Sequence, residues 1–166
     1  MATTYEAIAT YSTSGSQASY TFSSIAADWT DLILVTSLST SLDQWESVNM
    51  TFNGDSGNNY STTDLIGDGS TATSSRTTSA AFIKILGRVT GTANTFSNMS
   101  IAHIQNYANT TTYKTVLNRA DIASLASVAT VGLWRSTSAI TSLTIATPSQ
   151  TFTDGSTFTL YGIAAA

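Results

Sequence analysis

Few side chains in this sequence are equipped for chemistry. His103, in S-I-A-H-I-Q-N-Y, is the only histidine. A general base needs a nucleophile to deprotonate and a third group to orient it. The sequence identifies neither, and it has no G-x-S-x-G elbow and no phosphate-binding loop. Glu6 and Glu46 are the only glutamates and the aspartates are scattered through turn-like segments, whereas a glycosidase needs two positioned carboxyls. His103 shares a strand face with Met99 and Ile101 and reads as a packed or interface residue. No catalytic residue is assigned, and the chain is not expected to be an enzyme.

Two other groupings have chemical potential. Asp55, Asp64 and Asp68, with Asn58 and Asn59, offer the hard oxygens that calcium takes, but their spacing matches no EF-hand loop. Asp and Asn in such strings ordinarily close Asx-turns, so no metal site and no cofactor are assigned. Trp29, Trp45, Trp134, Tyr60, Tyr107 and Tyr113 supply flat rings on which sugars stack. Large aromatics in an all-β domain more often pack in the core. Trp45, beside Glu46 at the start of an alternating segment, is the strongest platform candidate.

The elements that would position these residues are strands. The 166 residues suit a single domain, 1–166, with a core large enough to need neither disulfide nor metal; cysteine is absent. Only 10 % of residues are charged and Ser plus Thr fill about a third of the chain, so the surface is hydroxyl-rich rather than ionic. The formal net charge of -4 and the lack of a Lys/Arg cluster argue against nucleic acid as a partner. No stretch is long and apolar enough for a membrane span, and the N-terminus lacks the pattern of a signal peptide. Export by the usual routes and membrane partners are therefore not expected.

Alternation of apolar and polar residues recurs along the chain. Val48, Met50 and Phe52 face one way and Ser47, Asn49 and Thr51 the other; Ala81, Ile83 and Ile85 oppose Lys84 and Arg88. Leu32 to Val35 run apolar without a break, which suits a strand covered on both faces or one at a subunit interface. Further strands are expected at 4–11, 18–23, 97–107, 113–119 and 126–134, with I-T-S-L-T-I-A and F-T-L-Y-G-I completing the set. R-S-T-S (135–138) has the length of a hairpin connection, and T-D-G-S (153–156) supplies an Asp-Gly turn. A short helical turn is expected around 118–127. Residues 53–79 read as one long loop, a candidate partner contact or a solvated connection. The expected fold class is all-β, an antiparallel sandwich or barrel of about ten short strands.

The segments Y-E-A-I-A-T-Y-S-T-S-G-S-Q-A-S-Y-T-F-S-S-I-A-A-D-W-T-D-L-I-L-V-T-S-L, V-N-M-T-F-N-G-D-S-G-N-N-Y-S and G-L-W-R-S-T-S-A-I-T-S-L-T-I-A-T-P-S-Q-T-F-T-D-G-S-T-F-T-L-Y-G-I resemble small structural proteins of tailed bacteriophages, many from aquatic hosts. The resemblance covers nearly the whole chain as an ordered set of segments, is most specific in F-N-G-D-x-G-x-N-Y-S and T-L-Y-G-I, and is weaker between residues 63 and 127. It implies a jelly-roll sandwich of about eight to ten strands acting as a capsid decoration (cement) protein, or as a receptor- or carbohydrate-binding module of a head or tail fibre. It also implies a homotrimer on the exterior of the virion, assembled in the host cytoplasm, with the major capsid protein, another virion protein or a host-surface glycan as partner. A virion protein reconciles a hydroxyl-rich all-β surface with the missing export signal, because lysis releases it. The resemblance supplies no catalytic residue.

Overall fold

The computed structural model describes residues 4–41, 47–87, 98–122 and 125–164, with the Ile122 side chain left aside. Twelve strands run through them: β1 (Tyr5–Ser12), β2 (Ser19–Phe22), β3 (Asp31–Leu38), β4 (Val48–Phe52), β5 (Tyr60–Gly67), β6 (Ala72–Ala80), β7 (Ile83–Leu86), β8 (Asn98–Gln105), β9 (Lys114–Ile122), β10 (Ala126–Trp134), β11 (Leu143–Ala146) and β12 (Thr157–Ile163). All pair antiparallel, in an eight-stranded sheet ordered β1-β12-β3-β8-β9-β10-β5-β6 and a four-stranded sheet ordered β2-β11-β4-β7. The chain is an all-β sandwich, as the alternation predicts.

The order has an internal logic. With the hairpins β5–β6 and β9–β10 set aside, the remaining strands form β1-β12-β3-β8 over β2-β11-β4-β7, the paired Greek keys of a jelly roll. The hairpins attach side by side beyond β8 and double the width of one sheet. The C-terminal F-T-L-Y-G-I lies inside that sheet, with β12 bonded to β1 on one side and β3 on the other.

Between the sheets the core holds Leu32, Leu34, Leu38, Phe158, Leu160 and Ile104 from the large sheet. Met50, Phe52, Ile83, Leu143 and Ile145 come from the small one. Two close approaches depend on glycine. A Cβ on Gly162 would lie 2.3 Å from the Trp29 ring, and one on Gly132 would lie 2.7 Å from Ile83 Cγ2. Gly162 belongs to the T-L-Y-G-I segment, so that segment has a packing reason.

Several sequence expectations are corrected. Residues 53–79 are not one loop, because most of them build the β5–β6 hairpin. The stretch 118–127 lies in β9, β10 and their connection, and no helical turn occurs at its described residues. R-S-T-S (135–138) is not a hairpin, since it leads from β10 in the large sheet to β11 in the small one. The Asp-Gly turn before β12 is present, with Gly155 at φ 80°. In β3 only one face is fully buried. Leu32 and Leu34 point into the core, while Ile33 and Val35 are half-buried on the far side.

Candidate functional site

All the candidate residues but Trp45 and Glu46 fall among the described residues. His103 sits on β8 and points away from the core, flanked across the sheet by Ile33 and Leu117. Its Nε2 lies 2.8 Å from Asp31 Oδ2, and Asp31 Oδ1 accepts the Asn106 N–H at 2.6 Å. The pair ties β8 to the start of β3. Among the described residues no hydroxyl is seen to bond to the ring, and the bonds that Asp31 makes link two strands.

The three aspartates are not brought together. Asp55 and Asp68 lie beyond opposite ends of the eight-residue β5, about 25 Å apart at a strand's rise. Asp68 closes an Asx-turn with Ser70 and Thr71, and those bonds hold its carboxyl well below the usual range. Asp64 points inward from β5, accepts a hydrogen bond from Thr130 Oγ1 at 2.7 Å and pairs with Lys84 at 3.8 Å.

Asp55 organises the turn from the small sheet into the large one. Asn53 and Gly54 both have positive φ, 53° and 68°, and the Asp55 N–H bonds back to the Phe52 carbonyl at 2.9 Å. This is the left-handed Asn-Gly turn that few other residues adopt. Trp134 Nε1–H donates to Asp55 Oδ2 at 2.7 Å, Asn59 Nδ2 donates to the same carboxylate, and the Gly57 N–H donates to Oδ1 at 2.9 Å. The Trp134 bond is the chief reason that the Asp55 carboxyl titrates below its ordinary value. Tyr60 is buried beneath them, its hydroxyl donating to the Asp55 carbonyl and accepting from the Phe52 N–H; burial pushes its pKa up to about 12. The conspicuous residues of F-N-G-D-x-G-x-N-Y-S are thus occupied in holding this corner together.

Trp134, Tyr60, Trp29 and Tyr107 are likewise engaged in packing. Trp134 is buried and stacks near Tyr60 and Phe52. Trp29 covers Gly162, and Tyr107 is buried with its hydroxyl donating to the Ala26 carbonyl. Tyr113 is exposed. Trp45 and Glu46 lie outside the described residues.

What sequence reasoning missed is the outer face of the large sheet where the hairpins widen it. On the inner, buried side β5, β9 and β10 place Thr62, Asp64, Asn118 and Thr130. On the outer side the same strands and β8 carry Leu65, Leu117, Val131 and Met99, which are 58 %, 51 %, 50 % and 43 % exposed. The same inner side also buries Tyr60, Val116, Ala120, Val128 and Trp134, so these strands carry apolar residues on both faces, where a half-buried strand normally keeps them on the core side. Register aligns the residues into rows: Ile33, His103, Leu117 and Val131 in one, and Val35, Ile101, Arg119, Ala129 and Leu65 in the next. A trough of about 540 Å³ crosses the second row, walled by Leu65, Met99 and Ile101 over small residues such as Ala129 and Gly67. Asp121 at its rim accepts the Met99 N–H at 3.1 Å.

The trough is open and mainly apolar, with Arg119 and Asp121 as its charged lining residues. A signal for it existed in K-T-V-L-N-R-A-D, but both phases of that segment carry an aliphatic residue, so the alternation could not say which faced outward.

Compared with family models, curated proteins and solved structures, the chain matches none.

Proposed function

We propose that this chain is a structural adhesion protein of a tailed-phage particle, a decoration protein that binds the outside of the head through the outer face of β8, β9, β10 and β5. One observation carries the adhesive part of the reading: three strands with apolar residues on both faces, Leu65, Leu117 and Val131 standing exposed on the outer one. Exposed apolar clusters on a folded domain mark interaction surfaces. A capsid-binding patch has to be apolar or neutral and spread over a broad surface, and this one is both. The virion setting rests on the sequence resemblance, with the major capsid protein as partner.

The test is binding of the purified protein to undecorated phage heads. Saturable binding is expected, together with at least a tenfold loss of affinity in Leu117→Asp and Val131→Asp at unchanged melting temperature. Absence of head binding overturns the decoration role and moves the protein to a fibre tip, where a glycan array is the appropriate probe. Binding indifferent to both substitutions places the contact on another face.

A further inference from the structure

The two edges of the eight-stranded sheet are built differently. β1 has a register shift between Ala7 and Ala9 and carries Glu6, two devices that discourage further pairing. β6, A-T-S-S-R-T-T-S-A, pairs only with β5 and is exposed at eight of its nine positions. It has one charge, Arg76, and no proline; its own register shift lies beyond Thr77, where Ser79 has φ 57°, and leaves Ala72 to Thr77 unbroken. The turn bond from the Asp68 N–H to the Thr71 carbonyl sets the phase of the hairpin. By antiparallel alternation Thr73, Ser75 and Thr77 bond to β5, while Ala72, Ser74 and Arg76 direct N–H and C=O off the sheet.

We propose that β6 is a homodimer interface: β6 of a second copy adds antiparallel across a two-fold axis at Ser74, joining two large sheets into one. The matching chemistry identifies the occupant. A pairing centred on Ser74 sets Ser74 against Ser74 and Thr73 against Ser75, and it places Arg76 opposite Ala72, so the two arginines do not meet. Hydroxyl pairs of this kind already join neighbouring strands inside the protein, in Thr10 with Thr159, Thr21 with Thr144 and Thr36 with Ser100, at 3.2, 2.8 and 2.8 Å. Each is a directly opposed pair in the register. A two-fold contact closes on itself instead of growing into a filament. The inference is independent of the phage reading and of the trimer that the resemblance implies.

Light scattering of the purified chain over a range of concentrations tests it. The wild type is expected at twice the chain mass, Ser74→Lys and Ser74→Glu each as monomers with unaltered circular dichroism, and an equimolar mixture of the two as a dimer. If either variant misfolds, Ser74→Cys replaces it. In a chain without cysteine, that variant should form a covalent dimer on mild oxidation, while Thr10→Cys on the opposite edge should not. A monomeric wild type, or an oligomer that persists in both charge variants, overturns the proposal.

Discussion

The two halves of the large sheet are made of the same kind of strand and differ in the balance of what they bury and expose. In β1, β12, β3 and β8 the buried side is mainly aliphatic and aromatic, with Leu32, Leu34, Phe158, Leu160 and Ile104 facing the small sheet and a Thr36–Ser100 hydroxyl pair among them. In β9, β10 and β5 the buried side includes Asn118, Thr130, Thr62 and Asp64, each with a hydroxyl, amide or carboxylate to satisfy. Thr130 donates to Asp64, and Asn118 Nδ2 donates to the Ile85 carbonyl at 2.8 Å. Both halves bury apolar side chains, with Val116, Val128 and Trp134 in the added one, and both hold buried hydrogen bonds; among the described residues the buried ionisable side chains Asp64 and Lys114 belong to the added hairpins. The added strands also leave large aliphatic residues, Leu65, Leu117 and Val131, on the outside. Widening the sheet therefore adds exposed apolar surface on its outer face.

The sharpest way to break this comparison is to truncate a leucine from each half. Leu34→Ala should cost about 2–5 kcal/mol, the price of a cavity in a packed core, whereas Leu117→Ala should change stability by less than about 0.5 kcal/mol, as for other surface positions. Urea unfolding measures both, and equal losses would mean that the outer face is covered within the protomer. A smaller effect tests how tightly the added half is docked. Gly132→Ala pushes a methyl group toward Ile83 and should cost about 1–3 kcal/mol, read as a fall in urea midpoint at constant slope.

The smallest effect concerns the corner where the halves are stitched by Asp55. Its carboxyl is more acidic in the folded protein than in the unfolded chain. Its contribution is therefore fully present above the ordinary carboxylate pKa of about 3.9 and is lost as pH falls through the lower folded value. Asp55→Asn should lower stability at neutral pH by less than about 1 kcal/mol after solvent screening. It should also flatten the melting temperature's decline below about pH 4, and an unchanged acid profile would assign that decline to other carboxylates.

The same contrast explains what was legible in the sequence. Strands whose inner side is aliphatic announced themselves by alternation, as in V-N-M-T-F and F-T-L-Y-G-I, and with them came the sandwich. β5 and β6 did not, because Y-S-T-T-D-L-I-G buries threonine and aspartate and A-T-S-S-R-T-T-S-A buries almost nothing. A pattern search for apolar period two sees a loop there. The connection after β9 was misread because alanine and aspartate near Ile122 carry a weak strand preference. Of the candidate site, β8, β9 and β10 were expected as strands and only β5 lies where this signal fails; what alternation could not say is which face of them turns outward. The Asx-turn expectation for Asp55 and Asp68 could be made from residue type alone, since such turns depend on a local side chain and not on the sheet around it.

The Asn53-Gly54 turn also sets how the molecule ages. Asparagine before glycine is the sequence most open to deamidation, in which the glycine nitrogen attacks the side-chain carbonyl carbon and ammonia leaves. Here the Asn53 amide is held at both ends: Nδ2 donates to the Ala139 carbonyl at 2.8 Å, and Oδ1 accepts from the Thr141 and Ser142 N–H groups at 2.8 and 3.1 Å. The attack geometry requires that clamp to open, and the product would set a carboxylate against a carbonyl. Deamidation at this one position is thus a chemical clock that runs only when the corner of the sandwich comes apart.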